Sequence, residues 1–138
     1  MIGVIIVTHG QLGLELLKTA ELIVGGQSKC STVSIEISLN PDFLRQLVET
    51  AIKAQDEGQG VLILTDMFGG TPSNISLSFL EEERVEVLTG ANLPMLLRVL
   101  QLRVKPERTL SELALDSRDY SRKAINMAGD MLKRRPSK

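Results

Sequence analysis

The chain has 138 residues, 43% of them hydrophobic and 24% charged, the balance of one soluble globular domain with a sizeable core rather than of a disordered chain. A formal net charge of -1 gives no electrostatic drive toward nucleic acid or an anionic membrane, and 3% aromatic content leaves few platforms for stacking bases or sugars. No apolar run reaches the roughly 20 residues that span a bilayer, MIGVIIVTHG lacks the pattern of a signal peptide, and the lone Cys30 has no partner for a disulfide, so a reducing, cytoplasmic location is expected.

Ile2 to Val7 is a short run with no polar interruption, as in strands buried on both faces of a parallel sheet; Thr8-His9-Gly10 ends it. Leu12, Leu16, Leu17, Ala20, Ile23 and Val24 then recur at helical spacing, and Gly25-Gly26 stops the helix. Ser31 to Ile37 alternates, with Val33, Ile35 and Ile37 on one face, and predicts a half-buried strand near a sheet edge. Asn40-Pro41 reads as a helix start, with Asn40 as N-cap, leading to a helix ending near Gln55.

Val61 to Leu64 predicts a third buried strand. By the same cap-then-proline logic, Thr71-Pro72 opens a helix running through Ile75 to Leu80. Val85 to Leu88 is a fourth strand, Asn92-Leu93-Pro94 starts a helix to Leu102, and Thr109 to about Leu132 is amphipathic and helical in pattern. Residues 1–132 are therefore expected to form one domain, with 133–138 as a basic, disordered tail. The alternation of strand and helix implies right-handed crossovers and a doubly wound, mostly parallel four-stranded α/β sheet, order 2-1-3-4, with helices on both faces.

Open α/β sheets bind ligands beyond the carboxyl ends of their strands, where strand order reverses. His9 ends the first strand and Asp66 follows the third, so the fold rule puts the only histidine and this acid on one edge. A histidine there can act as nucleophile, base or metal ligand. A carboxylate on one ring nitrogen would fix the tautomer, free the other nitrogen to attack and stabilise the resulting cation, the orienting logic of a catalytic triad turned on histidine itself.

Gly69-Gly70-Thr71 offers unobstructed backbone N–H groups leading into a helix start, and Gly10-Gln11 can add donors. Together these features suggest phosphoryl transfer to and from His9. There is no G-x-x-x-x-G-K-[ST], no G-x-G-x-x-G after the first strand, no G-x-S-x-G, and no spacing suited to a zinc site, so neither a metal nor a cofactor is expected.

With V-T-H-G at Val7 to Gly10, L-L-K-T-A-E at Leu16 to Glu21, T-D-M-F-G-G-T-P-S-N at Thr65 to Asn74 and T-G-A-N-L-P-M-L at Thr89 to Leu96, the chain resembles the EIIA domain of the mannose family of the phosphoenolpyruvate-dependent sugar phosphotransferase system (PTS). The likeness extends to about Met131. It implies a phosphohistidine carrier: His9 accepts a phosphoryl group from HPr and passes it to an EIIB domain, Asp66 orients the ring, and Thr71 with nearby backbone amides binds the phosphoryl group. Gly10, Phe68, Gly69 and Gly70 complete that binding set, with Phe68 also a candidate contact for a partner.

Many members have serine at the position of Thr71. Many have phenylalanine where this chain has Ser73, a difference expected to alter the rim of the site. The resemblance further implies a homodimer in which a C-terminal segment, here Arg122 to Met127, adds an antiparallel strand to the partner subunit. EIIB is expected in trans, with any association with EIIC and EIID made through EIIB. Three other readings share these residues: a regulatory EIIA that reports its phosphorylation state, the phosphocarrier of dihydroxyacetone kinases, against which the 66–74 block argues, and a small-anion-binding domain without catalysis.

Overall fold

The computed structural model describes residues 1–134; the remainder of the expected tail lies outside the described residues. Four parallel strands, β1 (Gly3–His9), β2 (Cys30–Ile35), β3 (Val61–Thr65) and β4 (Val85–Leu88), form one sheet in the order β2-β1-β3-β4. The helices are α1 (Leu12–Val24), α2 (Pro41–Gln55), α3 (Thr71–Leu77), α4 (Leu93–Leu102), α5 (Leu110–Lys123) and α6 (Ala128–Arg134). The doubly wound sheet and its strand order are those expected. Lys133 and Arg134 belong to the last turn of α6.

The pleat divides the central strands between two cores. Val4, Ile6, Leu62 and Leu64 face α1, α4 and α5 through Ala20, Met95, Leu96, Val99, Leu110 and Leu113. Ile5, Val7, Val61 and Ile63 face α2 and α3 through Leu44, Val48 and Ile75. Burial on both faces is why β1 and β3 read as unbroken apolar runs. Burying one such Ile or Leu contributes about 1.5–3 kcal/mol, so these two strands anchor the fold.

Helix starts follow the local code. Asn40 Oδ1 accepts the Asp42 N–H at 2.7 Å, and Asn92 Oδ1 accepts the Met95 N–H at 2.9 Å. Thr109 and Glu112 form a reciprocal capping box.

Several local expectations are corrected. β2 is an edge strand, but it ends at Ile35; Ile37 lies beyond it and is 79% exposed, because the turn closed by the Leu39 N–H to the Glu36 carbonyl leaves the sheet there. The N-cap of α3 is Gly70, not Thr71, which is already the first helical residue. That helix stops at Leu77 instead of Leu80, since the Phe79 and Leu80 N–H groups take i−3 carbonyls and Ser78 Oγ bonds back to the Ile75 carbonyl.

The long C-terminal helix is two helices. α5 ends where the Ala124 N–H turns back to the Tyr120 and Ser121 carbonyls, and α6 begins at Ala128. Arg122 and Lys123 therefore stand in the last turn of α5, and residues 124–127 link two helices without forming a strand.

At the amino end of the sheet the structure holds a residue that periodicity does not reveal. Arg103, 1% exposed, donates to the carbonyls of Ile2, Ser28 and Lys29 and to Gln27 Oε1. It ties the end of α4 to the chain entering β1 and β2. Burial holds its guanidinium below its ordinary pKa.

Candidate functional site

The register of the central pair builds the site. Val7 of β1 lies beside Thr65 of β3, so the next residues of both strands emerge together at the carboxyl edge. His9, the last residue of β1, then meets Asp66. The ring Nδ1 is 2.8 Å from Asp66 Oδ2, and the same oxygen accepts the His9 backbone N–H at 2.9 Å. Asp66 Oδ1 accepts the Met67 N–H at 3.0 Å. Three donors thus fix the carboxylate.

The electrostatics keep Asp66 ionised. Burial pushes its carboxyl up, but the His9 N–H, the His9 ring and the Met67 N–H together outweigh that and hold it below the ordinary aspartate value. A charged carboxylate at Nδ1 selects the tautomer with the proton on Nδ1 and a bare lone pair on Nε2. The Asp66 side chain is 11% exposed and that of His9 37%, so the orienting group is sheltered while the ring reaches solvent.

The loop after β3 closes the other side of the ring. Met67 and Phe68 are exposed at 55% and 67%, so Phe68 points to solvent rather than folding onto the core. Gly69 has φ +91°, a left-handed conformation that glycine adopts freely and that turns the chain toward α3. Gly70 then lies against the imidazole: a Cβ placed there would be 2.9 Å from His9 Cε1 and 3.4 Å from Nε2. Thr71 is exposed at the first position of α3.

Gly10 makes the tight turn out of β1 at φ +51°, and its N–H is directed to the Ile35 carbonyl at 3.4 Å. The structure therefore gathers His9 and Asp66 at hydrogen-bond distance with Gly70 close beside the ring, Gly10, Phe68 and Gly69 on the two flanking turns, and Thr71 at the start of α3. Ser73 departs from expectation: it is fully buried beneath the first turn of α3, not on the rim. The reason is helical phase, which turns Pro72, Ser73, Ile75 and Ser76 toward the protein.

Thr8 has a structural role that its place at the end of a strand does not disclose. Its buried hydroxyl accepts the Gly13 N–H at 2.8 Å, a cap that α1 lacks from its own N-cap residue Gln11. Gly13 packs close on Ile6 and Thr8, where a Cβ would meet atoms at 3.0 and 3.1 Å. Thr8 and Gly13 thereby set the first turn of α1 directly behind His9. A hydroxyl residue immediately before the strand-end histidine was the available signal.

A cavity of about 460 Å³ lies between the outer edge of β4 and α5, lined by Leu88, Thr89, Met95, Arg118, Arg122 and Ile125 among others, and His9 does not border it. His9, its side chain 37% exposed, stands at the carboxyl edge of the sheet. Among the described residues no group of three or more His, Cys, Asp or Glu is gathered to hold a metal, and no helix is long and apolar enough to cross a membrane.

A family profile, EIIA-man, described as the PTS system fructose IIA component, matches residues 3–114. The chain is 38% identical over 104 residues to the PTS system fructose-specific EIIA component of Bacillus subtilis (strain 168), covering 75% of this chain and 71% of that protein. It is 35% identical over 103 residues to the mannose-specific EIIAB component of Escherichia coli (strain K12), covering 74% of this chain but only 32% of that longer protein. The fold matches the crystal structure of the phosphotransferase system component EIIA from Streptococcus agalactiae with a TM-score of 0.84 and 27% identity, over 94% of this chain and 99% of that one. On the profile match and these relatives, the chain belongs to the EIIA-man family of phosphotransferase-system IIA components.

Proposed function

We propose that this protein is a phosphohistidine carrier that accepts a phosphoryl group from HPr on His9 Nε2 and delivers it to an EIIB partner for sugar uptake. The observation that carries the reading is the 2.8 Å contact between His9 Nδ1 and Asp66 Oδ2, which leaves Nε2 as the free nitrogen. The Nε2 lone pair attacks phosphorus, the bond from phosphorus to its donor atom on HPr breaks, and the ring becomes a phosphorylated cation that still carries its proton on Nδ1. Asp66 balances that charge at hydrogen-bond distance. In the second transfer the Nε2–phosphorus bond breaks as a bond to the EIIB acceptor forms, and the ring returns to neutrality.

The backbone of residues 69–71 and the Thr71 hydroxyl cradle the phosphoryl oxygens, Gly10 borders the opposite side, and Phe68 offers an apolar contact to the incoming protein. An exposed nucleophile on an open edge suits a group that must pass between two protein surfaces. Thr71 and the turns at Gly10 and Gly69 leave that approach clear of bulky side chains. A homodimer fits the outer edge of β4 beyond Val85, beside the exposed Ile125, and light scattering of the full chain tests it.

The deciding experiment is incubation with phosphoenolpyruvate, Enzyme I and HPr, followed by intact-mass analysis. One phosphoryl group is expected, acid-labile and base-stable, and absent from His9→Ala. A chain that gains no phosphoryl group, or whose His9→Ala variant gains one, refutes the reading. Onward transfer to EIIB separates a transport component from one that reports its phosphorylation state to another protein.

A further inference from the structure

The two adjacent glycines before α3 exist for different reasons. Gly69 needs its left-handed backbone, and a Cβ there would meet open space. Gly70 needs no special backbone: φ −89° and ψ 171° are available to every L-residue. It is also the N-cap of α3, where Ser, Thr, Asp or Asn would satisfy a free N–H of the first turn and stabilise the helix. What forbids a side chain is the imidazole. A Cβ at position 70 would lie 2.9 Å from His9 Cε1 and 3.4 Å from Nε2, whereas the next atom, Met67 Cγ, would be at an ordinary 3.6 Å.

We infer that Gly70 is a positioning residue for His9: its bare Cα is the wall on which the Cε1–Nε2 edge of the ring rests, so that the ring is held between Gly70 and Asp66. The imidazole is then fixed at two points, by Asp66 Oδ2 at Nδ1 and by Gly70 beside the neighbouring Cε1–Nε2 edge. With a side chain at 70, the backbone of the helix start stays and the ring, at the end of a rotatable side chain, yields. A rotated ring breaks the Nδ1–H···Oδ2 alignment and swings Nε2 away from the loop. The helix gives up a side-chain cap so that the ring can stand where it does.

The consequence for rate rests on His9 as the phosphoryl acceptor; the geometric claim does not. The test compares the parent with Gly70→Ala, Asp66→Asn and Asp66→Asn/Gly70→Ala. Imidazole ¹⁵N NMR of His9, without any phosphoryl donor, reads the tautomer, and single-turnover transfer from phospho-HPr reads the rate. In Gly70→Ala the Nδ1-protonated tautomer is expected to give way to a mixture, and transfer to slow by about 10- to 100-fold. In the Asp66→Asn background the added alanine is expected to cost less than about threefold, since an asparagine amide that can face the ring either way already lets the tautomer mix.

Unshifted ring signals in Gly70→Ala overturn the inference, as does full-rate transfer from a displaced ring. A multiplicative effect in the double variant also overturns it, by placing the action of Gly70 on the phosphoryl group instead. If Gly70→Ala does not fold, His9→Ala/Gly70→Ala must melt as His9→Ala does, because the atoms the new Cβ would strike are gone; a further loss there refutes the contact. If His9 takes no phosphoryl group at all, the ring spectra still decide the role of Gly70.

Discussion

Asp66→Asn is the sharpest probe of the proposed chemistry because it changes charge and hydrogen bonding with almost no change in shape. In the parent, Oδ2 accepts both the His9 N–H and the Nδ1 proton, and Oδ1 accepts the Met67 N–H. Asparagine has one oxygen for these three donors. With that oxygen toward His9, its NH2 faces the Met67 N–H. With the oxygen toward Met67, the NH2 faces Nδ1 and selects the tautomer with the proton on Nε2, which cannot attack. Either way the carboxylate charge opposite the phosphorylated ring is gone.

Two unit charges about 4 Å apart attract by about 1 kcal/mol in water and about 4 kcal/mol at an effective dielectric near 20. With Asp66 sheltered at 11% exposure but His9 at 37%, solvent screening places the loss between these limits, at about 2 kcal/mol. That is about a 30-fold slower transfer, at about 1.4 kcal/mol per factor of ten. Rapid-quench single-turnover transfer from phospho-HPr measures it, beside a melting curve of the same preparation. A folded variant within about threefold of the parent rate, roughly 0.7 kcal/mol, would refute the orienting role of Asp66.

Three further outcomes are expected. Asp66 titrates below its ordinary value in the folded chain, so its stabilisation is present above about pH 4 and is lost as pH falls through the lower folded pKa; chemical denaturation should show Asp66→Asn and parent converging in stability at acid pH. Thr71→Ala should slow transfer about tenfold, for one lost hydrogen bond to a charged group, yet leave the melting temperature nearly unchanged because Gly70, not Thr71, is the N-cap. Arg103→Met strands the carbonyls of Ile2, Ser28 and Lys29; denaturant titration should show a loss of about 2–4 kcal/mol, while transfer per folded molecule is kept, since the residue sits at the opposite end of the sheet from His9.

Much of the molecule is decided by local pattern. The unbroken apolar runs Val4–Val7 and Val61–Leu64, the spaced leucines of α1 and the caps at Asn40, Asn92 and Thr109 each act within a few residues, so the amino-acid sequence alone determined the alternation of strand and helix. The fold rule for such an alternation also placed His9 and Asp66 on one edge. Local pattern failed where neighbours compete: Thr71 looked like a cap beside Pro72, Ile37 looked like a strand residue, and one amphipathic stretch became α5 and α6.

Only the tertiary structure decided what touches what. The register Val7 beside Thr65 brings His9 within 2.8 Å of a carboxylate 57 positions away, and no periodicity encodes that distance. The turn at Gly69 then carries α3 back so that Gly70 meets the ring and Ser73 disappears into the protein. Pairing between distant segments is set by how two cores pack on a twisted sheet, a property of the assembled chain, whereas strands and caps are set by steric and hydrogen-bonding preferences that each short segment carries with it.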